Sequence, residues 1–148
     1  MQVTNLQMVV VDYSRSFSQM ISTYNNGGKV SEYFPRSLSI SGEGCVLVET
    51  AIFDFGDEYV LEADIRSAME AEGYRCARVE ELLAFGESSP EEQRVKAIVA
   101  LGTRFQGGSR TQSVAYLYVS FGKRYLGEYA QPIKEAWKPC FRFLGVRM

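Results

Sequence analysis

The chain is 148 residues long with 46% hydrophobic content and a formal net charge of −2, the size and apolar content of one folded domain with its own core. Its longest apolar runs, residues 8–11 and 97–101, fall far short of the roughly 20 residues of a membrane-spanning helix, so membrane insertion is not expected. Histidine is absent, which excludes Ser-His-Asp and Cys-His catalytic schemes and the usual His-ligated metal centres from this chain alone.

The opening Met1-Gln2-Val3-Thr4-Asn5 has none of the basic start, apolar stretch and small-residue cleavage site of a secretory signal. The cysteines, Cys45, Cys76 and Cys140, are odd in number and widely spaced, which suits neither a disulfide framework nor a zinc site. A cytoplasmic or virion-associated location, with neither metal nor cofactor, is the expectation.

In chain order, Gln7-Met8-Val9-Val10-Val11-Asp12-Tyr13 is β-branched enough for a buried first strand. Residues 16–21 predict a short helix that ends before a loop at Asn25-Asn26-Gly27-Gly28. The run 45–55 alternates with apolar side chains on both faces, as in a strand covered on both sides. Between residues 62 and 72, Ile65, Ala68, Met69 and Ala71 recur at helical spacing, and Gly73 stops the helix. A second helix is predicted over 79–85, with Glu80 and Glu81 in its first turn and Gly86 as its stop. Ser89-Pro90-Glu91-Glu92 has the capping-box pattern and predicts a third helix or helical turn. Strands are then predicted at 97–101, 114–119, 125–129 and 141–146, with a hairpin tip at Gly107-Gly108-Ser109. Helices early and strands late predict a single α+β domain over 1–148.

The charge is unevenly spread. Residues 1–100 carry 8 Lys/Arg against 16 Asp/Glu, a balance of −8, whereas residues 101–148 carry 8 Lys/Arg against Glu128 and Glu135 alone, a balance of +6. That last third also holds nine of the 19 aromatic residues, so it reads as a positively charged, ring-rich binding surface.

Other constellations carry less. Gly42-Glu43-Gly44 lacks the Gly-Lys-Ser/Thr of a phosphate loop and reads as a tight turn. Asp54, Asp57, Glu58, Glu62 and Asp64 lack EF-hand spacing and read as a solvated acidic face rather than a glycosidase pair or Ca²⁺ site. Cys76 and Cys140 suit a redox or copper pair only if the fold joins them; buried structural thiols are the simpler expectation. In residues 124–129, period-two geometry puts Tyr125, Gly127 and Tyr129 on one face, a mixture suited to recognition. A half-buried strand with ring hydroxyls in water accounts for it equally well. Trp137 and residues 141–147 are assigned to the scaffold.

Five segments, Gly73-Tyr74-Arg75, Glu80-Glu81-Leu82-Leu83-Ala84-Phe85-Gly86, Pro90-Glu91-Glu92-Gln93-Arg94, Ile98-Val99-Ala100-Leu101-Gly102 and Arg142-Phe143-Leu144-Gly145-Val146-Arg147, stand out together. Taken together they resemble the variable proteins of diversity-generating retroelements, most of all those of archaeal viruses and small-genome archaea and bacteria. The similarity runs from about Ser39 to the C-terminus. It implies a C-type-lectin-like fold, with two or three early helices, a strand-rich C-terminal half and a diversified region at about 101–148. In that family a reverse transcriptase copies a template with errors at adenines, and the altered copy replaces part of the gene. Template Asn codons with two adenines can become any residue except Lys, Glu, Gln, Trp and Met. Lys123, Glu128, Gln131, Lys134, Glu135, Trp137 and Lys138 therefore cannot descend from such codons. Tyr118, Val119, Ser120, Phe121, Tyr125, Gly127, Tyr129, Ala130 and Cys140 can, and these are the ligand-binding residues that the resemblance implies. Glu128 and the charged Lys134-Glu135-Ala136-Trp137-Lys138 depart from the family pattern, and lectin-type calcium motifs are missing.

The functional expectation is a non-enzymatic, ligand-binding display protein whose partner is a protein or another surface macromolecule. A single-stranded nucleic-acid module is the less favoured rival; steep salt dependence would mark it. A formylglycine-generating-enzyme-like domain is another, which Cys-to-Ser changes would test.

Overall fold

A computed structural model describes residues 1–107 and 112–148. Twelve elements follow in chain order: β1 (Gln2–Asp12), α1 (Phe17–Gly27), β2 (Lys29–Val30), β3 (Cys45–Asp54), α2 (Glu62–Ala71), β4 (Tyr74–Cys76), α3 (Val79–Ser88), a 3₁₀ turn (Glu92–Arg94), β5 (Ala97–Gln106), β6 (Gln112–Ser120), β7 (Lys123–Ala130) and β8 (Phe141–Arg147). The architecture is mixed α/β with strands predominating. The strands form one sheet in the order β1-β3-β8-β5-β6-β7-β2, with β4 added alongside β8.

Adjacent strand residues bury on opposite faces of this sheet, so both sides are covered. Ile52, Ile98 and Leu144 pack with Phe17, Met20, Ile21 and Tyr24 of α1 and with Val79, Leu82, Leu83 and Phe85 of α3. Their neighbours Phe53, Val99 and Phe143 pack on the other side with Ile65 and Met69 of α2, Val60 and Trp137. β8 is the central strand: it pairs β3 and β4 antiparallel and β5 parallel, and its last residue-to-turn bond runs from the Met148 N–H to the Gly73 carbonyl.

Several expectations change at the element ends. The first strand begins at Gln2, earlier than the Gln7 expected, and is joined along most of its length to β3, the second early strand. The two-sided cover expected for 45–55 holds at Ala51, Ile52 and Phe53, whereas Cys45, Val46 and Leu47 are exposed on a two-stranded ribbon with β1. α1 does not stop at residue 21. Ser16 and Gln19 close a capping box at its start, and the helix runs through Asn25 to Gly27, where the Gly28 N–H bonds the Tyr24 carbonyl. α3 passes through Gly86 to Ser88; a Cβ at Gly86 would lie 3.0 Å from Leu117 and 3.1 Å from Tyr24, so the missing side chain lets the helix sit close to β6 and α1. Ser89-Pro90-Glu91-Glu92 makes no capping box, but the helical turn expected after it is present as the 3₁₀ turn. Of the expected hairpin tip, Gly108 and Ser109 lie outside the described residues. No helix among the described residues is long and apolar enough to cross a membrane.

Candidate ligand-binding face

β6 and β7 pair antiparallel without a break from Ser113 opposite Ala130 to Ser120 opposite Lys123. This leaves a two-residue loop, Phe121-Gly122, with φ of +51° and +76°. Positive φ at both positions is what the type I′ hairpin turn demands, and the sequence it favours there is Asn-Gly or Asp-Gly. Phe121 is fully exposed, so a bulky ring occupies a backbone conformation unfavourable to it and gains no burial in return.

Below the turn, one face of the hairpin is built from rings. Tyr118 lies opposite Tyr125 and Tyr116 opposite Gly127. The Tyr118 ring stacks on Tyr125 at 5.3 Å and on Tyr116 at 4.5 Å, both at an interplanar angle of 14°. Tyr116 continues edge-on to Tyr129 at 5.5 Å, and Tyr129 packs against Phe141 at 4.7 Å and Trp137 at 5.4 Å. The core on the α2 side thus extends as one aromatic array to the half-exposed Tyr118 and Tyr125. Gly127 makes the stacking possible, because a Cβ there would meet the Tyr118 ring at 2.8 Å and the Tyr116 ring at 3.3 Å.

The opposite face of the hairpin is pinned to the helices. The Gln93 amide donates to the carbonyls of Tyr118 (2.7 Å) and Tyr125 (3.2 Å), while its own oxygen accepts from the Tyr24 hydroxyl at 3.0 Å. Buried Arg124 donates to the Gly27 and Gly86 carbonyls, and Arg94 reaches the Gly122 carbonyl at 2.8 Å. Leu117 and Leu126 enter the core beneath α1 and α3. Such bracing fixes the backbone under the rings, the preorganisation that a contact face requires.

The residues singled out from the sequence therefore divide. Tyr118, Tyr125, Gly127 and Tyr129 share the ring face, and Ser120 and Phe121 lie at its tip. Val119, opposite Arg124, and Ala130, opposite Ser113, alternate onto the other face. Cys140 is exposed one residue before β8. Tyr116, the hub of the stack, was not singled out; its position two residues before Tyr118 in a strand was the signal available. Burial pushes the Tyr116 hydroxyl up from 10.0 to about 12. Tyr13 is likewise pushed to about 12, by burial and by the carboxylates of Glu80 and Glu81.

Those two shifts give a pH prediction. The unfolded chain releases both phenolic protons near pH 10 while the folded chain keeps them, so the stability they contribute is full below pH 10 and is lost as pH rises toward 12. In an ultraviolet phenolate titration, Tyr13 and Tyr116 should ionise last, and Tyr116→Phe should remove part of that late phase; an unchanged late phase would contradict the burial of Tyr116.

The positive surface expected of the last third is corrected by where its cations lie. Arg104 is paired with buried Glu62, Arg142 bonds the Glu92 carboxylate at 2.8 Å and two backbone carbonyls, and Arg124 serves the helix ends, so three of the basic residues are internal struts. Glu62 in turn corrects the solvated acidic face: it is 6% exposed and bridges Arg66 and Arg104, although Asp57, Glu58 and Asp64 are exposed. Burial is confirmed for the Cys76 thiol alone; Cys45 and Cys140 are exposed, and all three are free. Among the described residues no three His, Cys, Asp or Glu side chains gather as a metal site.

Graded costs follow from the geometry. Tyr125→Ala, which removes a half-exposed ring at the end of the stack, should cost less than about 1 kcal/mol. Tyr129→Ala, which opens a hole against Trp137 and Phe141, should cost about 2–4 kcal/mol in urea unfolding. Equal costs would mean that the array is not anchored as described. No family model, curated protein or solved structure matches this chain.

Proposed function

We propose that this chain is a non-enzymatic ligand-binding protein of C-type-lectin-like design, in which a retroelement diversifies the β6–β7 face to recognise a macromolecular surface, a protein in the first instance. The observation that carries the reading is Phe121. A fully exposed ring at φ +51° opposes both the local backbone preference and the hydrophobic effect, and strain of that kind gathers at functional positions. A template Asn codon at this position would encode Asn-Gly, the favoured type I′ turn, and substitution at both adenines turns that codon into Phe. A stable hairpin with an adventurous residue at its tip is what adenine-directed diversification of a scaffold would leave behind.

The remaining geometry supports the same division. Tyr118, Ser120, Phe121 and Tyr125 stand at the solvent end of the hairpin, and Leu117, Arg124, Leu126 and Gln93 hold it from behind. Gly127 acts on the face indirectly, since any side chain there must lift the Tyr118 ring. Val119 and Ala130 would act, if diversified, on the reverse side of the ribbon.

Stacked Tyr116, Tyr118 and Tyr125 also suit single-stranded nucleic acid, because bases stack on such rings. Against it, Arg124 and Arg142 are buried inside the fold and the part-buried Arg104 is held by Glu62, so none of the three is set along the rings.

A library randomised at residues 118, 120, 121 and 125 tests the proposal. Most members should fold with melting close to the parent, binders to unrelated proteins should be selectable from it, and their affinity should change little with salt. A library of equal size at 117, 124, 126 and 143 should mostly fail to fold. Widespread unfolding of the first library would contradict the display reading, and a steep loss of selected binding with salt would favour nucleic acid. As a single variant, Phe121→Asn should stabilise the fold by about 1 kcal/mol through relief of the left-handed backbone strain; a loss of stability would mean that the Phe ring is held by contacts absent here.

A further inference from the structure

Behind the Phe121-Gly122 turn, a pocket of about 280 Å³ is lined by three glycines, Gly27, Gly28 and Gly122, and four cations, Lys29, Arg94, Lys123 and Arg124. No carboxylate lines it. The fold makes this pocket where the end of α1 passes into β2, β2 pairs parallel with β7 at Lys29 opposite Tyr125, and the 3₁₀ turn reaches across through Arg94.

Arg124 is unusual among the buried arginines. Arg104 is neutralised by Glu62 and Arg142 by Glu92, and the part-buried Arg75 holds Glu81 at 2.7 Å. Arg124 is 8% exposed and meets only the Gly27 carbonyl (2.6 Å), the Gly86 carbonyl (3.0 Å) and the face of the Tyr24 ring (5.2 Å). Among the described residues it has no carboxylate partner, which sets it apart; its Nε–H has no acceptor, as is also true of Arg104 and Arg142. The carboxylate lining the cleft on its other side, Glu87, lies 3.6 Å from Arg15. A guanidinium taken out of water without a counter-charge is costly, and a concavity walled by one sign of charge concentrates the opposite ion. Arg94 keeps Glu91 at 2.7 Å on its outer side, while Lys29 and Lys123 are exposed and have no acidic partner among the described residues. A Cβ at Gly122 would meet nothing within 4 Å, so that wall is open to a group with its own oxygens, whereas Gly27 and Gly28 lack side chains where Arg124 (3.4 Å) and Tyr24 (2.8 Å) pack against the chain.

We infer that this pocket binds a tetrahedral oxyanion, a phosphate or sulfate group, with Lys29 and Lys123 as outer contacts and Arg124 as its buried counter-charge. The inference stands apart from the proposed ring face, since none of the stacked tyrosines lines the pocket. Planar carboxylates suit it less well, because the cations approach from the α1 end, the 3₁₀ turn and the hairpin, three separate directions, rather than from one edge.

The test uses the full chain with inorganic phosphate and sulfate, at ionic strength held constant with chloride, followed by backbone-amide NMR. Saturable shifts should centre on Gly28, Lys29, Gly122 and Lys123 and leave Tyr116 unmoved. Lys29→Ala and Lys123→Ala, both on exposed side chains that should leave melting unchanged, should each weaken the apparent affinity about tenfold, as the loss of one charge-assisted bond does. If Lys29→Ala lowers melting, Lys123→Ala alone is decisive. Absence of saturable shifts, unchanged affinity in the variants, or equally tight binding of acetate would each overturn the assignment.

Discussion

Trp137→Ala should destabilise the fold by about 3–5 kcal/mol in urea unfolding, the cost of leaving a cavity where a large buried ring had been. Trp137 is fully buried, with Phe141 at 5.0 Å, Phe143 at 5.4 Å and Tyr129 at 5.4 Å around it. Its backbone forms a two-bond bridge with Val60, so the ring pins residues 131–140 over the sheet as well as filling the core. The indole N–H has no hydrogen-bond partner among the described residues. Trp137→Phe should consequently cost only about 1–2 kcal/mol, since volume but no hydrogen bond is lost. An Ala cost within about 0.5 kcal/mol of zero, the range of surface sites, would contradict the burial.

Arg142→Met should cost about 3 kcal/mol although the replacement is apolar and of similar length. Arg142 is 4% exposed and its guanidinium satisfies the Glu92 carboxylate, the Glu92 carbonyl and the Lys96 carbonyl at 2.8–2.9 Å. Removing it leaves those acceptors unpaired, a penalty larger than the bonds themselves were worth. The effect should also travel. Glu92 precedes Gln93, whose amide holds the Tyr118 and Tyr125 carbonyls, so amide exchange along the β6–β7 hairpin should rise in the variant. A variant that lost no stability and kept the hairpin protected would show that the strut is dispensable.

Both residues belong to the scaffold on sequence grounds, Trp137 by its type and Arg142 by its place within residues 141–147. Trp137, Phe141, Phe143, Leu144 and Val146 carry their packing in their type, large and apolar, and Arg142 stands inside their run. Helical spacing at Ile65, Ala68 and Met69 was legible for the same reason. Helix ends were not, because Asn25-Asn26-Gly27 and Gly86 look like breakers until Tyr24 and Leu117 are seen packed against the chain there. Charge misled most. The +6 balance of residues 101–148 is the same whether an arginine faces water or a buried carbonyl, and only long-range partners such as Glu62 for Arg104 and Glu92 for Arg142 decide which. On the candidate face, Tyr125, Gly127 and Tyr129 were legible from period-two spacing, but Tyr116 required the register that sets it opposite Gly127. The strain at Phe121 depends on a turn type that its neighbours Ser120 and Lys123 do not signal.

The measurement that reaches the central claim most directly is the DNA sequence flanking the gene. The account predicts a second near-copy of the codons for about residues 101–148 beside a reverse-transcriptase gene, with differences between copies at template adenines. The altered residues should gather at Tyr118, Ser120, Phe121 and Tyr125, with an Asn codon at position 121 of the template and identical codons for Leu117, Arg124, Leu126 and Phe143. A flank without such a copy, or copies that differ at all four bases alike, would contradict diversification of the β6–β7 face.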